Sequence, residues 1–435
     1  MHSQQPIKGF SRLTREEKIR WLSDYLPDEK LDDFLGQFRI PEEETQGKFE
    51  SFSENTLSNY HLPWGIVPNV LVDGILYHVP VVIEESSVVA AASKAASFWS
   101  QRGGFTTLEI ATRKKGQLHF VFHGDKAALA SHWTVISSRL LNAVGPLTEN
   151  MEKRGGGITS ALLKQIDGLP DNYFQLDLEA ETMDSMGANF INTLLEGMGQ
   201  ALPDLINEMA GPGETEIVMA ILSNHTPDSM VRMQIEAPIS SLHWNQEMAP
   251  EKFAEKMKLA ADIAWHDTGR AVTHNKGIFN GVDAVVLATG NDFRAVEAAG
   301  HAHASRDGMY RSLSKVSIEN DRFVMQLEIP LALGTVGGLT RLHPLAAKSL
   351  DILRQPDAKT LMRIAAALGM ANNFAAMASL VTTGIQQGHM KMHLQNILNS
   401  LDAGSTEREK TVEYFSDKTV SVAAVKSFLS SLKPT

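Results

Sequence analysis

Lys276 and Asp292 stand sixteen residues apart, each set among small or uncharged polar residues: Thr273-His274-Asn275-Lys276-Gly277-Ile278-Phe279-Asn280-Gly281 and Gly290-Asn291-Asp292-Phe293-Arg294. A lysine held charged beside a carboxylate can stabilise an oxyanion as it forms on a carbonyl. An ordinary surface ion pair is the bland reading of any one Lys–Asp pair; the polar, Gly-flanked setting of both residues lifts this one. Glu84 and Glu85 precede a helix that begins near Ser87, where two carboxylates complement the helix dipole. Proton exchange would require one of them to lie beside Lys276. His389 follows Gly388, and a histidine at a Gly hinge suits protonation of a leaving group. His393, four residues on, could share a metal with it, but no third ligand has the spacing. His301 and His303, two apart, do not face one another on a helix, so no metal is expected.

A second constellation is Asp184-Ser185-Met186-Gly187-Ala188-Asn189, between a strand and a helix. Gly187 permits close backbone approach, and the free amides of the following helix attract phosphate. No Gly-x-Gly-x-x-Gly run marks a strand–helix junction, and Gly197-Met198-Gly199 lies within a helical pattern, which disfavours a Rossmann domain. Arg154-Gly155-Gly156-Gly157 reads either as a flexible loop or as a further phosphate contact. The chain contains no cysteine, which excludes disulfides, thiolate catalysis and Cys-ligated metals. If a thioester reacts here, its sulfur belongs to the substrate.

The elements that must position these residues follow from pattern. With 435 residues, 43% of them hydrophobic, the chain can bury two or three cores. A net charge of −11 argues against general nucleic-acid or anionic-membrane binding. The N-terminus lacks a secretory stretch, and the apolar run 361–381 is interrupted by Arg363, Asn372 and Asn373, which suits a buried helix. Cytoplasm is the expected location. Short amphipathic helices open the chain, residues 64–83 form a hairpin turning at Asp73-Gly74, and Ser86 caps a helix over 87–101. A second unit begins at the turn Arg113-Lys114-Lys115-Gly116. It continues as strand 117–122, helix 126–143, strand 173–178, helix 190–209 and strand 216–222, with the return at 224–227. This is an inserted α+β domain. From Pro250 the chain reads as mostly helical, with a Gly-rich stretch at 334–338. The last fifty residues form helices, one opened by a capping box of Thr406 and Glu409, and serve either as a lid on Gly388 or as a fixed appendage.

Five segments in order, Glu85-Ser86-Ser87-Val88-Val89-Ala90, Asp184 to Asn189, Thr273 to Gly277, Gly290-Asn291-Asp292 and Gly388-His389-Met390, resemble class II hydroxymethylglutaryl-CoA reductase of bacteria and archaea. The resemblance runs from Glu54-Asn55 to Met390. It implies an α+β fold with a large, mostly helical substrate- and CoA-binding domain (1–111 and 228–385). Into this is inserted a small non-Rossmann, ferredoxin-like cofactor domain (112–227), and a C-terminal helical flap follows (386–435). The implied reaction is the four-electron reduction of 3-hydroxy-3-methylglutaryl-CoA to mevalonate and CoA by two nicotinamides, or its reverse. By the same resemblance Lys276 stabilises the oxyanion, Asp292 tunes Lys276, Glu85 donates a proton and His389 protonates the CoA thiolate. Ser87, Arg270, Asn280 and Asn373 match substrate contacts, Arg270 pairing with the free carboxylate. Thr148, Arg154, Asp184, Met186, Gly187, Ala188, Asn189 and Asn224 match cofactor contacts.

The chain departs from the family at three places. Glu54-Asn55-Thr56-Leu57-Ser58 replaces Glu-Asn-x-Ile-Gly, Ser185 replaces an Ala, and Thr148 stands where NAD-preferring members carry an Asp that grips the adenine ribose. Loss of that carboxylate, with Lys153 and Arg154 nearby, tilts the expected cofactor to NADPH over NADH. The resemblance further implies a homodimer with interface active sites, open to higher assembly, and no nucleic-acid or membrane partner. Another acyl-CoA or aldehyde reductase and a silent CoA- or nucleotide-binding protein are the competing readings. The first fits Arg270 and Asn373 poorly, and the second predicts loss of one of the four central residues.

Overall fold

The computed structural model describes residues 6–26, 30–382, 394, 397–415, 418 and 420–432. Three short helices, α1 (Arg15–Tyr25), α2 (Leu31–Gly36) and α3 (Glu43–Glu50), lead to the antiparallel hairpin β1 (Trp64–Val72) and β2 (Ile75–Val82). Its turn is Asp73-Gly74, a pair suited to two-residue hairpin turns. Next, α4 (Ser86–Ser100) buries Val88, Ala92, Ala95, Ala96 and Trp99, a stripe at helical spacing, with its alanines and Trp99 in the same core as the hairpin valines. β3 (Thr106–Ile110) then hands the chain to a second unit.

That unit runs β4 (Arg113–His123), α5 (Lys126–Ala143), α6 (Gly145–Glu152), β5 (Gly157–Lys164), β6 (Tyr173–Glu181), α7 (Ala188–Ala210) and β7 (Glu214–Ser223). Its four strands lie in the order β5-β6-β4-β7, every neighbour antiparallel. Leu129, Ile136 and Leu140 of α5, with Ile191, Leu194 and Met198 of α7, meet Leu118, Phe120 and Leu176 of the sheet in a core separate from the first. The sequence pattern places Arg113 to Gly116 in a turn; they lie in β4 instead. Three adjacent cations suggest a solvated bend, but strand alternation sends Arg113 and Lys115 to one face, against Glu179 and Asp228, and Lys114 to the other. Arg154, Gly155 and Gly156 form the turn between α6 and β5, and Gly157 opens the strand.

The chain returns through β8 (Met230–Pro238) to α8 (Pro250–His266), α9 (Thr268–Ala288), α10 (Phe293–Ala304), β9 (Ser314–Glu319) and β10 (Arg322–Pro330). Strands β3-β8-β10-β9 form a second antiparallel sheet, so the region beyond Pro250 is less helical than its pattern suggests. After α11 (Leu339–Leu342) and α12 (Pro344–Ile352), α13 (Ala358–Val381) runs through the centre of the large core. It is long and apolar enough to span a membrane, yet 78% of its most apolar window is buried inside the protein. Two final helices, Ser405–Tyr414 and Val422–Leu432, share a small cluster with Leu398, Phe415 and Leu429. The first opens at Gly404, whose N–H donates to Glu407, rather than with a Thr406–Glu409 box.

The crossing of α9 and α13 fixes the helix that carries Lys276. Gly281 has no room for a side chain there, since an added Cβ would stand 2.3 Å from the Leu368 carbonyl oxygen. Gly281→Ala should therefore push the helices apart and destabilise the large core by about 1–3 kcal/mol, the usual cost of overpacking. A lower Tm is the expected result; an unchanged one would show that the crossing can yield.

Candidate active site

Glu85 is the N-cap residue of α4, but its side chain accepts no hydrogen bond from the helix amides. The carboxylate turns instead to Ser87, whose Oγ donates to Oε1, and to Lys276, whose Nζ lies 3.9 Å from Oε2. Dipole complementation alone would have left Glu85 capping the helix; the competing contacts draw it towards Lys276. Lys276 projects from the middle of α9, not from a loop, and keeps 66% of its side chain exposed. Asn280, one turn further on, shares its face and is partly exposed.

Arg270 begins the same helix, its N–H donating to the Asp267 cap. Its guanidinium is half-buried, has no carboxylate partner among the described residues, and burial holds its pKa below the ordinary range. A partly desolvated, unpaired guanidinium suits a carboxylate ligand. One turn on, His274 is buried with Nε2 2.6 Å from Ser314 Oγ. Ser314 Oγ donates to Asn373 Oδ1 at 2.8 Å, and Asn373 Nδ2 donates back to the His274 carbonyl at 3.5 Å. A hydroxyl has one proton, so this arrangement requires His274 to donate from Nε2, leaving Nδ1 a buried acceptor without a partner. Burial, then the Arg270 charge, pull the His274 pKa down to about 3. Asn373 thus sits inside a polar lock between α9, β9 and α13 and is 1% exposed.

Asp292 caps α10, accepting from the N–H groups of Arg294 and Ala295 and pairing with Arg294 Nε at 3.3 Å. It lines an apolar cavity of about 600 Å³ with Trp64, Phe293, Leu339 and His343. Among the described residues the ion-pair partner of Lys276 is Glu85, and that of Asp292 is Arg294. His389 and His393 lie outside the described residues. His303 is bonded to Glu328 at 2.8 Å, which with burial working against it holds that carboxyl down at about 2, whereas His301 meets Tyr310. The described residues contain no group of three possible ligands placed to hold a metal.

The Asp184 loop joins β6 to α7 as its pattern implies. Gly187 is the left-handed N-cap of α7, φ 91°, and an added Cβ would meet Thr182 Cγ2 at 2.6 Å, so only glycine fits. No side chain caps α7, which leaves its first amides, from Ala188 and Asn189 onward, open to an anion. The loop docks on the large core: the Asp184 carbonyl accepts from Thr335 and Val336, and its Oδ1 accepts from Ala358. Asp184 and Arg154 line a cavity of about 490 Å³ with Thr182, Gly337 and Arg341. Arg341 and Thr182 carry no motif of their own and become visible only in this cavity. Met186 is partly exposed, Asn189 is exposed, and Asn224 is exposed beyond β7. Thr148 is buried in α6 with its hydroxyl near Gly145 O and Glu152 Oε1, so Arg154 and not Thr148 is the polar group offered to the cavity.

A lysine–glutamate pair opening on solvent, a guanidinium on the same helix with no carboxylate partner among the described residues, and an open helix N-terminus in a separate unit suit an enzyme that polarises the carbonyl of an anionic substrate. Comparison with known proteins narrows the class. The model of the family Hydroxymethylglutaryl-coenzyme A reductase matches residues 14–394. The 3-hydroxy-3-methylglutaryl-coenzyme A reductase of Archaeoglobus fulgidus is 34% identical over 94% of this chain and 90% of its own. Among solved structures, the enzyme from Streptococcus pneumoniae superposes with a TM-score of 0.73 at 34% identity, over 98% of this chain and 99% of that one. A second structure from that organism, described as class II and bound to NADPH in open conformations, superposes at 0.72 over 86% of this chain and 99% of its own, also at 34% identity. The chain belongs to the hydroxymethylglutaryl-coenzyme A reductase family, in its class II form, and reduces hydroxymethylglutaryl-CoA as that family does.

His274 offers a test of the site's interior. Its folded pKa lies below its unfolded one, so the folded state binds fewer protons between about pH 6.5 and about pH 3. Its contribution is intact above that window and is lost at roughly 1.4 kcal/mol per pH unit as pH falls through it. His274→Gln keeps a donor towards Ser314 and cannot titrate. Its Tm should fall less than the wild type's between pH 7 and pH 5; parallel curves would show that another group governs acid lability.

Proposed function

We propose that Lys276, Glu85, Asp292 and His389 carry the reduction, and that the 112–227 unit binds its dinucleotide. The observation that supports this most is the contact of Glu85 with both Ser87 and Lys276 at the mouth of α4. Arg270 pairs with the free carboxylate of the acyl group, and Ser87 and Asn280 flank it. Asn373 acts by fixing α9. The thioester carbonyl then meets Lys276, whose ammonium stabilises the oxyanion formed at each reduction, and Glu85 returns the proton that the carbonyl oxygen gains. His389 protonates the departing CoA thiolate. Overall one thioester, two hydrides and two protons give one primary alcohol and one free thiol.

The nicotinamide cofactor supplies the hydrides. Gly187, the open amides of α7 and Arg154 with Arg341 suit its phosphates; supporting this are the glycine cradle and two guanidiniums with no ion pair among the described residues. With a β-α-β-β-α-β order, the unit that holds it is ferredoxin-like. Arg154 and Arg341 at the cavity favour NADPH over NADH. The proposed chemistry uses no metal. A cytoplasmic enzyme fits a chain whose long apolar helix is built into its core. Physiological direction, mevalonate synthesis or breakdown, depends on metabolic context, and use of NADPH favours synthesis.

The geometry of α9 supports a homodimer. Lys276 and the helix end at Ala288 are twelve residues apart, about 18 Å along the axis, and Asp292 lies beyond that end. Asp292 of the partner subunit therefore completes the site around Lys276. Purified protein should oxidise NADPH faster than NADH, read as absorbance loss at ~340 nm with hydroxymethylglutaryl-CoA present. No substrate-dependent loss with either would overturn the reading. Lys276→Ala and Asp292→Ala should each abolish turnover while leaving the fold intact. Dissociated and reassembled together, they should recover roughly a quarter of wild-type activity, because one site in each mixed dimer regains both residues. No recovery would place Lys276 and Asp292 of one site in the same chain.

A further inference from the structure

Lys114 has no exposed surface, although lysine is among the residues least tolerant of burial. It makes no ion pair among the described residues. Nζ donates to Thr182 Oγ1 at 2.6 Å and to the Ser185 carbonyl at 3.0 Å, and Thr182 Oγ1 donates to that same carbonyl at 2.7 Å. Burial outweighs the attraction of Glu181 and Asp184 and pulls its pKa down to about 8. Those carboxylates are committed elsewhere: Glu181 accepts from Thr112 and from the Met183 N–H, and Asp184 accepts from Ala358. The ammonium's charge thus opposes folding at neutral pH, since a depressed lysine pKa means that the folded state binds its proton less firmly than the unfolded chain. An apolar residue of the same length would fit this strand better.

Both hydrogen bonds end on one target, residues 182–187, which shape the open N-terminus of α7. That loop holds Met183 at φ 50° and Gly187 at φ 91°, a conformation the local sequence does not enforce by itself. We propose that Lys114 is a positioning residue for the cofactor: it holds this loop from inside the sheet and places a positive charge beneath the amides that receive a dinucleotide phosphate. The inference rests on the loop being the cofactor site. It accounts for a charge that the fold would be more stable without.

Lys114→Met tests it in the full-length, assembled enzyme. Methionine keeps the unbranched chain as far as Cε and removes the ammonium, and the Thr182–Ser185 bond keeps the carbonyl satisfied. Tm at pH 7 should hold or rise, Kd for NADPH in a nicotinamide fluorescence titration should weaken about 10-fold, and hydroxymethylglutaryl-CoA binding should be unchanged. An unaltered NADPH Kd, or loss of the folded melting transition, would overturn the proposal. Ala188→Asp separates the two layers of the argument, because it puts a carboxylate at the first residue of α7 while favouring the helix. If Ala188→Asp also leaves NADPH binding intact, the loop is not the cofactor site and the inference falls with it. If only Ala188→Asp weakens binding, the role of Lys114 alone is wrong.

Discussion

The close passage of Gly334 between Asn291 and Met186 is the contact on which the site's geometry depends. Asn291 accepts from the Gly334 N–H at 2.8 Å and donates to its carbonyl at 3.0 Å, gripping both polar groups of one peptide segment. On the other side an added Cβ would stand 2.4 Å from the Met186 amide nitrogen. Asp184 extends the seam by accepting from Thr335 and Val336. Two units with separate hydrophobic cores would otherwise share little but their connecting strands, and small interfaces of that kind default to relative motion. Here backbone bonds from the Asp184 carbonyl and the side-chain amide of Asn291 together tie the Asp184 loop to the segment that carries Asp292.

Around that seam the protein buries polar groups that a core built for stability alone would omit. His274, Ser314 and Asn373 close a ring of hydrogen bonds beneath Arg270 and Lys276, and one imidazole nitrogen stays without a partner. Lys114 lies under the Asp184 loop with no ion pair among the described residues. Each group holds a backbone segment next to a candidate site: α9 in one case, the Asp184 loop in the other. Such segments need fixed geometry without apolar side chains that would fill the site, and hydrogen bonds from below satisfy both demands.

Periodicity was enough to find the long elements. Residues 126–143 form the expected helix, and the Asp73-Gly74 hairpin, α7 and the buried reading of α13 follow from spacing and turn chemistry. It failed where local composition and tertiary partners disagree. Arg113, Lys114 and Lys115 resemble a solvated bend, yet alternation and the carboxylates of β6 and the β7–β8 connection make them a strand. β9 and β10 form a hairpin, but β10 also pairs with β8, which lies far back in the chain, a pairing that no local window contains.

The candidate site divides the same way. Residue types and order, with the family resemblance they carry, single out Glu85, Lys276, Asp292 and the Asp184 loop as candidates, because the proposed oxyanion stabilisation, proton transfer and phosphate binding each demand particular side chains or a glycine. Whether Glu85 caps its helix or turns to Lys276 was open in the sequence, and only the packing of α4 against α9 decided it. Asn373 as a lock, Thr148 as an interior residue, Arg341 at the cavity and Lys114 beneath the loop were likewise settled by the fold. Chemistry is written in residue identity, which the sequence contains. Partnership depends on which distant surfaces meet and what they exclude from water, and that belongs to the tertiary structure alone.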